Sequence, residues 1–319
     1  MAKLSVAVLF GGPSLEHEVS VLSGRHVLSF LSTDKYDAFP VHIRRDGEWP
    51  LSGEELAKKA DAVFIALHGK YGEDGTVQDI LEHLGVPYTG SGVLASALGM
   101  NKIFSYRLFK ALGLNVPRFE IVSRYDAEWR GGYPLNIPLA LPLIVKPANQ
   151  GSSMGVSLVR RGEELWPAVT KALQLDKEAI VQEYVSGTEI TCGVLEVGER
   201  VAALEPIEII KSSGDVFDYQ AKYTSGMAEE RAAVLAGSVI ERIKKDTVTA
   251  HKAIGAYGFS RSDFIFSPDG RLYVLETNTL PGLTENSLFP KAALASGISF
   301  PDLLDIMIDQ ALRRNEGGE

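Results

Sequence analysis

The stretch SRSDFIFSPDGRLYVLETN, residues 260–278, is the most informative part of this sequence. Two runs that alternate apolar and polar residues flank the tetrapeptide Ser-Pro-Asp-Gly at 267–270, and Pro-Asp-Gly is a strong turn signal. The pattern predicts a β-hairpin. If the first and last residues of the tetrapeptide pair across the turn, Asp263 lies opposite Val274 on the neighbouring strand.

Four polar side chains of this hairpin are predicted to share one face, because side chains alternate along each strand. In the same register Arg261 lies opposite Glu276. The four residues are Arg261, Asp263, Glu276 and Asn278. Two carboxylates and an amide oxygen suit Mg²⁺, which takes one or two carboxylates together with phosphate oxygens. A solvated face with an ordinary Arg–Glu cross-strand pair is the alternative explanation.

A second polar hairpin is predicted upstream of the first. Lys146 ends a short apolar strand, and the loop NQGSSMG at 149–155 leads into another strand at 156–159. Glycine lets backbone N–H groups approach a phosphate closely, serine hydroxyls add donors, and a lysine at the strand end supplies a positive charge. The loop matches neither GxxxxGK[ST] nor GxGxxG. A surface hairpin with a flexible tip is the alternative explanation.

The N-terminal region has the pattern of a parallel α/β unit. Residues 4–10 are predicted to form a buried strand, Ser14 is positioned to cap a helix that runs to about Leu31, and residues 62–67 are predicted to form a second strand. This order of strand, helix and strand is typical of parallel sheets. We assign residues 1–100 to this first domain.

The remaining sequence divides into two further α+β units, residues 101–180 and 181–319. Apolar residues at helical spacing predict one helix over 92–112 and another over about 230–256. The polar stretch 211–231 separates ordered elements and is predicted to be a functional loop. The predicted fold class is therefore α/β combined with α+β.

Composition excludes several classes of function. The formal net charge of −9 argues against nucleic acid or an anionic membrane as the main partner. Cys192 is the single cysteine, so an intrachain disulfide is excluded, and its apolar surroundings predict a buried strand residue. The sequence begins without a secretory signal, and no apolar run reaches the length of a membrane span. We therefore expect a cytoplasmic protein.

Taken in order, these segments resemble the D-alanine–D-alanine ligases, a family within the ATP-grasp enzymes. The resemblance covers the whole chain at the family's spacing, and it implies an ATP-grasp fold with an N-terminal parallel α/β domain. The matching stretches are FGGPSLEHEVS (10–20), ALHGKYGEDGTVQ (66–78), PYTGSGVLASALGMNK (87–102), IVKPANQGSSMGV (144–156), SGTEIT (186–191), DYQAKY (218–223), SRSDFIF (260–266) and LETNTLPGLTENSL (275–288).

The resemblance implies that ATP lies between the second and third domains. The implied ATP contacts are Lys102 and Lys146 at the phosphates, Gln182, Glu183 and Val185 in the adenine hinge, and Glu189 at the ribose, and Ser153 is a further cofactor-binding residue. Two Mg²⁺ ions, with Mn²⁺ as an alternative, are implied at Asp263, Glu276 and Asn278. This agrees with the prediction that these side chains share one face of the hairpin.

The resemblance also implies where the amino acids bind. Glu16 receives the ammonium of the first D-alanine, with His68 nearby, and Ser152 and Tyr223 link to Glu16 and close the loop. The other implied roles are Arg261 and the Gly282 N–H at the oxyanion, Lys222 at the substrate, and Ser287 with the Leu288 backbone at the second carboxylate.

The implied reaction is ATP-dependent ligation of two D-alanines for peptidoglycan precursor synthesis. A carboxylate is a poor electrophile, so ATP first phosphorylates it, and the amine of the second amino acid then attacks the acyl phosphate. A lid must exclude water, and residues 211–231 are the predicted lid. The implied partners are D-alanine and ATP, with no nucleic acid or membrane, and the implied assembly is a homodimer.

Two other functions fit part of the pattern. The first is a D-alanine–D-lactate ligase or another ATP-grasp carboxylate–amine ligase, but the segment DYQAKY (218–223) retains Tyr223, as the dipeptide enzymes do. The second is a nucleotide-binding regulatory protein that has lost its chemistry. The joint presence of all four polar residues of the 260–278 hairpin argues against that function.

Overall fold

A computed structural model describes residues 2–125, 137–211 and 228–316 of the chain. Its N-terminal sheet consists of parallel strands in the order β2-β1-β3. The strands are β1 (Leu4–Gly11), β2 (Tyr36–Ile43) and β3 (Ala62–Ile65), and the helices around them are α1 (His17–Phe30), α2 (Gly53–Lys59) and α3 (Thr76–Leu84). Strand β3 is wholly apolar and β1 is apolar except for Ser5 and its terminal glycine, because a parallel sheet is covered on both faces. The predicted parallel α/β unit is confirmed.

Helix α1 begins later than predicted, and Ser14 is not its cap. The Ser14 hydroxyl donates to the carbonyl of His68 at 2.6 Å and accepts from the Glu16 N–H at 2.9 Å, so it ties the loop before the helix to the end of the 62–67 segment. The first helical residue is His17. Gly24 allows the helix to approach β1, since a Cβ at this position would lie 2.4 Å from the Phe10 ring.

The single helix predicted over 92–112 is wrong. Two helices occupy this stretch, α4 (Val93–Met100) and α5 (Lys102–Ala111), and Asn101 separates them with an extended backbone. The Asn101 side chain accepts hydrogen bonds from two N–H groups of the first turn of α5, at 3.0 and 3.1 Å. An asparagine that caps the next helix interrupts an apolar periodicity that is otherwise continuous.

The second sheet is antiparallel, in the order β4-β7-β5-β6. Its strands are β4 (Phe119–Ser123), β5 (Leu143–Pro147), β6 (Ser157–Val159) and β7 (Glu178–Glu183), and α6 (Leu165–Leu175) packs against β5 and β7 after a short 3₁₀ turn. The buried residues of β5, β7 and α6 form one apolar cluster beneath the sheet. The polar hairpin predicted from Lys146 onward is thus confirmed as β5, a loop and β6.

The third sheet is antiparallel, in the order β11-β10-β8-β12-β13 with β9 on β8. Its strands are β8 (Thr188–Val197), β9 (Arg200–Ala203), β10 (Ile207–Lys211), β11 (Ala228–Ala232), β12 (Phe259–Phe266) and β13 (Leu272–Asn278). The helices of this part are α7 (Gly237–Ala253), α8 (Leu288–Ala295) and α9 (Phe300–Glu316). The prediction of a helix from about residue 230 is wrong, because β11 pairs with β10 there and α7 starts only at Gly237.

The β12–β13 hairpin forms, but in a different register from the predicted one. The turn is one residue longer, since Ser267 N–H bonds to the carbonyl of Arg271, and a bulge shifts the register by one more residue beyond Phe264. Asp263 therefore lies opposite Glu276, and Arg261 lies opposite Asn278. Each shift of one residue moves the side chains of one strand to the other face relative to its partner. The two shifts together amount to two residues, so all four side chains stay on one face, as predicted.

Apolar side chains hold these sheets in one structure. The largest buried cluster joins β1 and β3 to residues of α8 and α9, so the C-terminal helices complete the core of the N-terminal sheet. Within the described ranges, no helix is both long and apolar enough to cross a bilayer. The division into units 1–100, 101–180 and 181–319 stays a prediction.

Candidate active site

A cavity of about 640 Å³ lies where residues of all three sheets or their loops meet. The N-terminal end of α1, the loop between β5 and β6, the strands β12 and β13, and the loop that precedes α8 all contribute to its wall. Most of its polar wall consists of charged side chains of both signs. Such a concave, charged and partly buried space is the expected place for a phosphorylated ligand.

Arg261 and Asp263 form a paired unit on the wall. The guanidinium donates to both carboxylate oxygens at 2.9 Å, and the Thr191 hydroxyl donates to Asp263 at 2.7 Å. Burial by itself disfavours the charge of Arg261, but the carboxylates of Asp263, Glu276 and Glu73 outweigh it and raise the pKa of the guanidinium. The group is therefore a permanently charged donor, fixed in orientation by two parallel hydrogen bonds.

Lys102 brings a second positive charge into the same space. It is the first residue of α5, and its ammonium lies 3.1 Å from Glu276 Oε2 and donates to the carbonyl of Gln150 at 2.8 Å. The side chain is 6% exposed. Because Asn101 starts a new helix at this point, the lysine projects from a helix start that is fixed by its cap.

Lys146 lies at the end of β5, in a buried polar chain behind the cavity wall. Its ammonium donates to the hydroxyl of Tyr106 at 2.9 Å, and that hydroxyl in turn donates to the side-chain oxygen of Gln182 at 3.1 Å. Burial, with a smaller contribution from the charge of Glu276, raises the pKa of Tyr106, so the phenol stays protonated. The phenol therefore links the two side chains without adding a charge.

Glu16 and Ser152 meet across the cavity. The Ser152 hydroxyl donates to Glu16 Oε2 at 2.5 Å. Ser152 and Ser153 have φ angles of +47° and +56°, in the left-handed region that non-glycine residues rarely adopt. A strained backbone that persists at a loop next to a cavity is a frequent feature of ligand sites.

His68 is almost fully buried beside this pair. Its Nε2 lies 2.8 Å from the Ser23 hydroxyl, and its Nδ1 lies 3.7 Å from Glu73 Oε1. Glu73 also accepts from the N–H of Gly69 at 2.8 Å. These contacts fix the imidazole, and His68 is one of the residues that line the cavity.

The loop before α8 closes the far end of the cavity. Ser287 precedes α8 directly, and its hydroxyl accepts from the Thr284 N–H at 3.0 Å. Gly282 lies against it, because a Cβ there would be 2.7 Å from Ser287 Oγ. Leu288, the first residue of α8, also lines the cavity, and the N–H groups of a first helical turn have no partners within the helix.

The residues predicted to hold Mg²⁺ converge, and their donor atoms suit it. Asp263 and Glu276 lie opposite each other on neighbouring strands, and Asn278 lines the same cavity. The Asn278 side-chain oxygen also accepts from the Leu280 N–H at 2.8 Å, which fixes the amide. Across the described ranges no group of three His, Cys, Asp or Glu side chains is arranged for a metal, so any ion here depends on the asparagine and on non-protein oxygens as well.

Most of the predicted site residues line the one cavity. They are Glu16, His68, Lys102, Ser152, Glu189, Arg261, Asp263, Glu276, Asn278, Gly282, Ser287 and Leu288. Five others lie outside its lining: Lys146, Ser153, Gln182, Glu183 and Val185. Glu183 instead pairs with Arg118, at 2.8 Å. Lys222 and Tyr223 lie outside the described residues, as does most of the predicted lid, and the described end of that segment belongs to β11.

Three contributors to the site were missed at the sequence level. Glu73 lies among the charged residues of the cavity, Tyr106 links Lys146 to Gln182, and Thr191 bonds to Asp263. Glu73 stands in the quoted motif 66–78, and Thr191 in the motif 186–191, so both could have been found there. Tyr106 had no signal, because an aromatic residue on an amphipathic helix usually fills a core.

Comparisons with known proteins agree with this geometry. The protein-family model described as D-ala D-ala ligase C-terminus matches residues 108–309 of the sequence. The family model described as D-ala D-ala ligase N-terminus matches residues 5–60 and 50–91. A D-alanine–D-alanine ligase of Geobacter sulfurreducens is 43% identical, and the match covers 98% of this chain and 96% of that protein. The corresponding ligase of Geotalea uraniireducens is 41% identical over 96% of this chain and 95% of its own length.

Two solved structures are similar as well. The D-alanine–D-alanine ligase of Bacillus anthracis complexed with ATP has a TM-score of 0.81 and 33% identity, covering 99% of this chain and 100% of that one. The VanG D-Ala:D-Ser ligase of Enterococcus faecalis has a TM-score of 0.85 and 34% identity, covering 97% of this chain and 100% of that one. The fold class predicted from the sequence is thereby confirmed.

Proposed function

Because this chain belongs to the D-alanine–D-alanine ligase family, we propose that it joins two D-alanines into D-alanyl-D-alanine while ATP is converted to ADP and phosphate. The observation that best supports this function is the composition of the cavity wall. Its wall has the Glu16–Ser152 pair, suited to an ammonium group, together with the charged pairs Lys102–Glu276 and Arg261–Asp263, suited to a phosphoryl group. The dipeptide serves as a precursor of peptidoglycan.

Binding of the first D-alanine relies on Glu16. Its carboxylate is buried, and the donated hydrogen bond of Ser152 fixes one of its oxygens. A buried carboxylate is a strong partner for the ammonium group of an amino acid, because little water screens the attraction. The serine-to-glutamate hydrogen bond orients the carboxylate before the substrate arrives.

Activation of the first carboxylate transfers the terminal phosphoryl group of ATP to one of its oxygens and releases ADP. Lys102 brings a buried ammonium group to the cavity where negative charge accumulates, which lowers the barrier by electrostatic stabilisation. The family resemblance assigns a second phosphate contact to Lys146, whose buried ammonium lies behind the cavity wall. When bound, Mg²⁺ at Asp263, Glu276 and Asn278 supplies further charge neutralisation on the phosphate oxygens. Lys102 also pairs with Glu276 at 3.1 Å, which holds its ammonium beside the proposed metal ligands.

Peptide bond formation follows. The amine of the second D-alanine, after loss of a proton, attacks the acyl phosphate carbon, a C–N bond forms, and phosphate leaves with the electron pair of the C–O bond. The tetrahedral carbon carries an oxyanion, which needs fixed donors. Arg261 is held by Asp263, and Gly282 lines the same cavity, so the guanidinium and the Gly282 N–H are the proposed donors.

Placement of the second D-alanine depends on the loop before α8. Ser287 and the backbone N–H groups from Leu288 onward stand at a helix N-terminus, where a carboxylate is stabilised by unpaired N–H donors and by the helix dipole. The proposal also includes two Mg²⁺ ions, a cytoplasmic location and a homodimeric assembly, which family membership supports.

The test is a phosphate-release assay with ATP, Mg²⁺ and a panel of acceptors, with product identification by mass spectrometry. We expect D-alanine to support turnover and D-alanyl-D-alanine to accumulate, while L-alanine gives none. The panel includes D-serine, because a D-Ala:D-Ser ligase is among the similar structures, and D-lactate. Higher turnover with D-alanine plus D-lactate than with D-alanine alone contradicts the proposal, and so does nucleotide binding without any turnover.

A further inference from the structure

Two imidazole rings face each other outside the cavity, on the first helix and the second strand. His17 is the first residue of α1, and His42 is the next to last residue of β2. Their Nε2 atoms lie 3.5 Å apart, and the ring centroids lie 5.5 Å apart at an interplanar angle of 48°. The rings therefore meet at their nitrogen edges rather than as a stacked pair.

The His17 ring has a defined tautomer. Its Nδ1 lies 2.7 Å from the carbonyl oxygen of Gly12, so Nδ1 carries the proton and donates. The lone pair of Nε2 then faces His42. A histidine whose second nitrogen donates to a backbone carbonyl is the arrangement that orients imidazole ligands in metal sites.

The His42 ring is held from its other side. It stacks on Phe10 with a centroid distance of 5.1 Å and an interplanar angle of 17°. It also lies directly over Gly11, where a Cβ would come within 2.7 Å of the ring. Only the glycine at this position, with φ of +90°, lets the imidazole lie so close to the backbone. His42 is an exposed residue, whereas His17 is buried, with 6% of its surface exposed.

We propose that His17 and His42 form a site for a divalent transition metal of the Zn²⁺ and Ni²⁺ class. Two Zn–N bonds of about 2.0–2.1 Å at a tetrahedral angle hold their nitrogens about 3.4 Å apart. The two Nε2 atoms already have nearly that separation. Water fills the remaining coordination positions, since within the described ranges no third His, Cys, Asp or Glu completes a cluster.

The metal at this site joins α1 to β2. His17 follows Glu16 directly, so the ion binds at the start of the helix whose preceding residue lines the cavity. An ion that binds the folded chain and not the unfolded chain stabilises the fold. We therefore expect Zn²⁺ to raise the Tm of the protein, independently of nucleotide and of D-alanine.

The experiment measures binding of Zn²⁺, added as ZnCl₂, to the nucleotide-free protein by equilibrium dialysis and by thermal unfolding. Excess Mg²⁺ is present throughout, so that oxygen-ligand sites do not take up Zn²⁺. We expect one Zn²⁺ per chain in the wild type, and His42→Ala to weaken binding at least tenfold and to remove the rise in Tm. His83→Ala is the matched control, because it also removes one exposed histidine, from α3, and it should bind as the wild type does.

His42 is an exposed side chain, so its removal leaves the core intact, and circular dichroism checks that the variant is folded. His42→Asn is a second variant that keeps a polar group over Gly11 and should lose binding as well. Equal Zn²⁺ affinity of the wild type, His42→Ala and His42→Asn overturns the proposal. An absence of Zn²⁺ binding to the wild type also overturns it, and then the two rings share only a weak hydrogen bond.

Discussion

Ser152 donates a hydrogen bond of 2.5 Å to the carboxylate of Glu16, although the two residues are 136 positions apart. The bond connects the loop between β5 and β6 to the residue before α1, and both of its residues line the cavity. Ser152 adopts a left-handed backbone conformation, with φ of +47°, at this position of the loop. The contact therefore ties two parts of the fold together at the place where the first substrate binds in the proposed reaction.

Ser152→Ala should impair use of D-alanine. A hydrogen bond to a charged group is worth about 1.5–3 kcal/mol, which corresponds to roughly a 10- to 100-fold decrease in kcat/KM for D-alanine. Steady-state phosphate release at saturating ATP measures this. Ser157→Ala, on β6 of the same hairpin, is the control and should stay within about threefold of wild type. A Ser152→Ala enzyme with unchanged kcat/KM removes the assigned role.

Glu276→Ala should abolish turnover while the protein stays folded. Its side chain faces the cavity and is 24% exposed, so its loss opens no core cavity, but it removes a carboxylate of the proposed metal site and the partner of Lys102. Turnover is measured by phosphate release across a Mg²⁺ titration, and folding by circular dichroism. Glu178→Ala, on a strand of the second sheet, serves as a control. Near-normal activity of a folded Glu276→Ala enzyme contradicts the metal assignment.

Arg261→Ala should lower kcat far more than it weakens ATP binding. Loss of one donor to a transition-state oxyanion costs roughly 10²–10³ in kcat. Lysine should not restore activity, because it cannot reproduce the two parallel hydrogen bonds to Asp263. If Arg261 instead has only a structural role in the hairpin, the variant should have a lower Tm and retain most of its kcat. Measuring both quantities separates the two roles, and a kcat within a few-fold of wild type excludes the catalytic one.

Glu196→Gln should reduce stability and weaken its dependence on acid pH. Burial tends to raise the pKa of Glu196, but hydrogen bonds from His251 and from the Gly258 N–H lower it below 4.5. A group with a lowered folded-state pKa contributes stability that is present above its unfolded pKa and lost as pH falls through the folded value. We expect a loss of about 1–3 kcal/mol at pH 7 that shrinks below pH 4.5.

Urea unfolding at several pH values measures that loss. Glu199→Gln, an acidic residue in the turn between β8 and β9, is the control and should leave the curve of stability against pH unchanged. If Glu196→Gln is destabilised by the same amount at pH 7 and at pH 3.5, the hydrogen-bonded charge is not the source of its effect.

The sequence predicted the elements best where the local pattern was strong. Strand β3 is an uninterrupted apolar run and β1 is apolar from Val6 to Phe10, and both were recognised. Strand β2 was not, because it contains Pro40 and exposed polar residues, and only its position at the edge of the sheet makes that composition tolerable. The helix break at Asn101 was missed because a capping asparagine does not disturb apolar spacing.

The site was predicted as a set of residues but not as a set of contacts. The alternation of side chains along a strand predicted that the four polar residues of the hairpin share one face. The family resemblance added Glu16 and Lys102 to the predicted site. Contacts such as Lys146 to Tyr106 join positions on different elements, and no local pattern encodes them. The bulge in the hairpin was also beyond prediction, since its energy depends on the partner strand β8 as much as on the bulged strand.

The combination of a longer turn and a bulge in the β12–β13 hairpin has a consequence for insertions and deletions. Removal of one residue from the turn, such as Gly270, moves Glu276 and Asn278 to the opposite face of the sheet and leaves Arg261 and Asp263 behind. Removal of two residues restores the face and only shortens the hairpin. Natural length variation between these strands should therefore occur in steps of two, and an odd step should accompany the loss of activity.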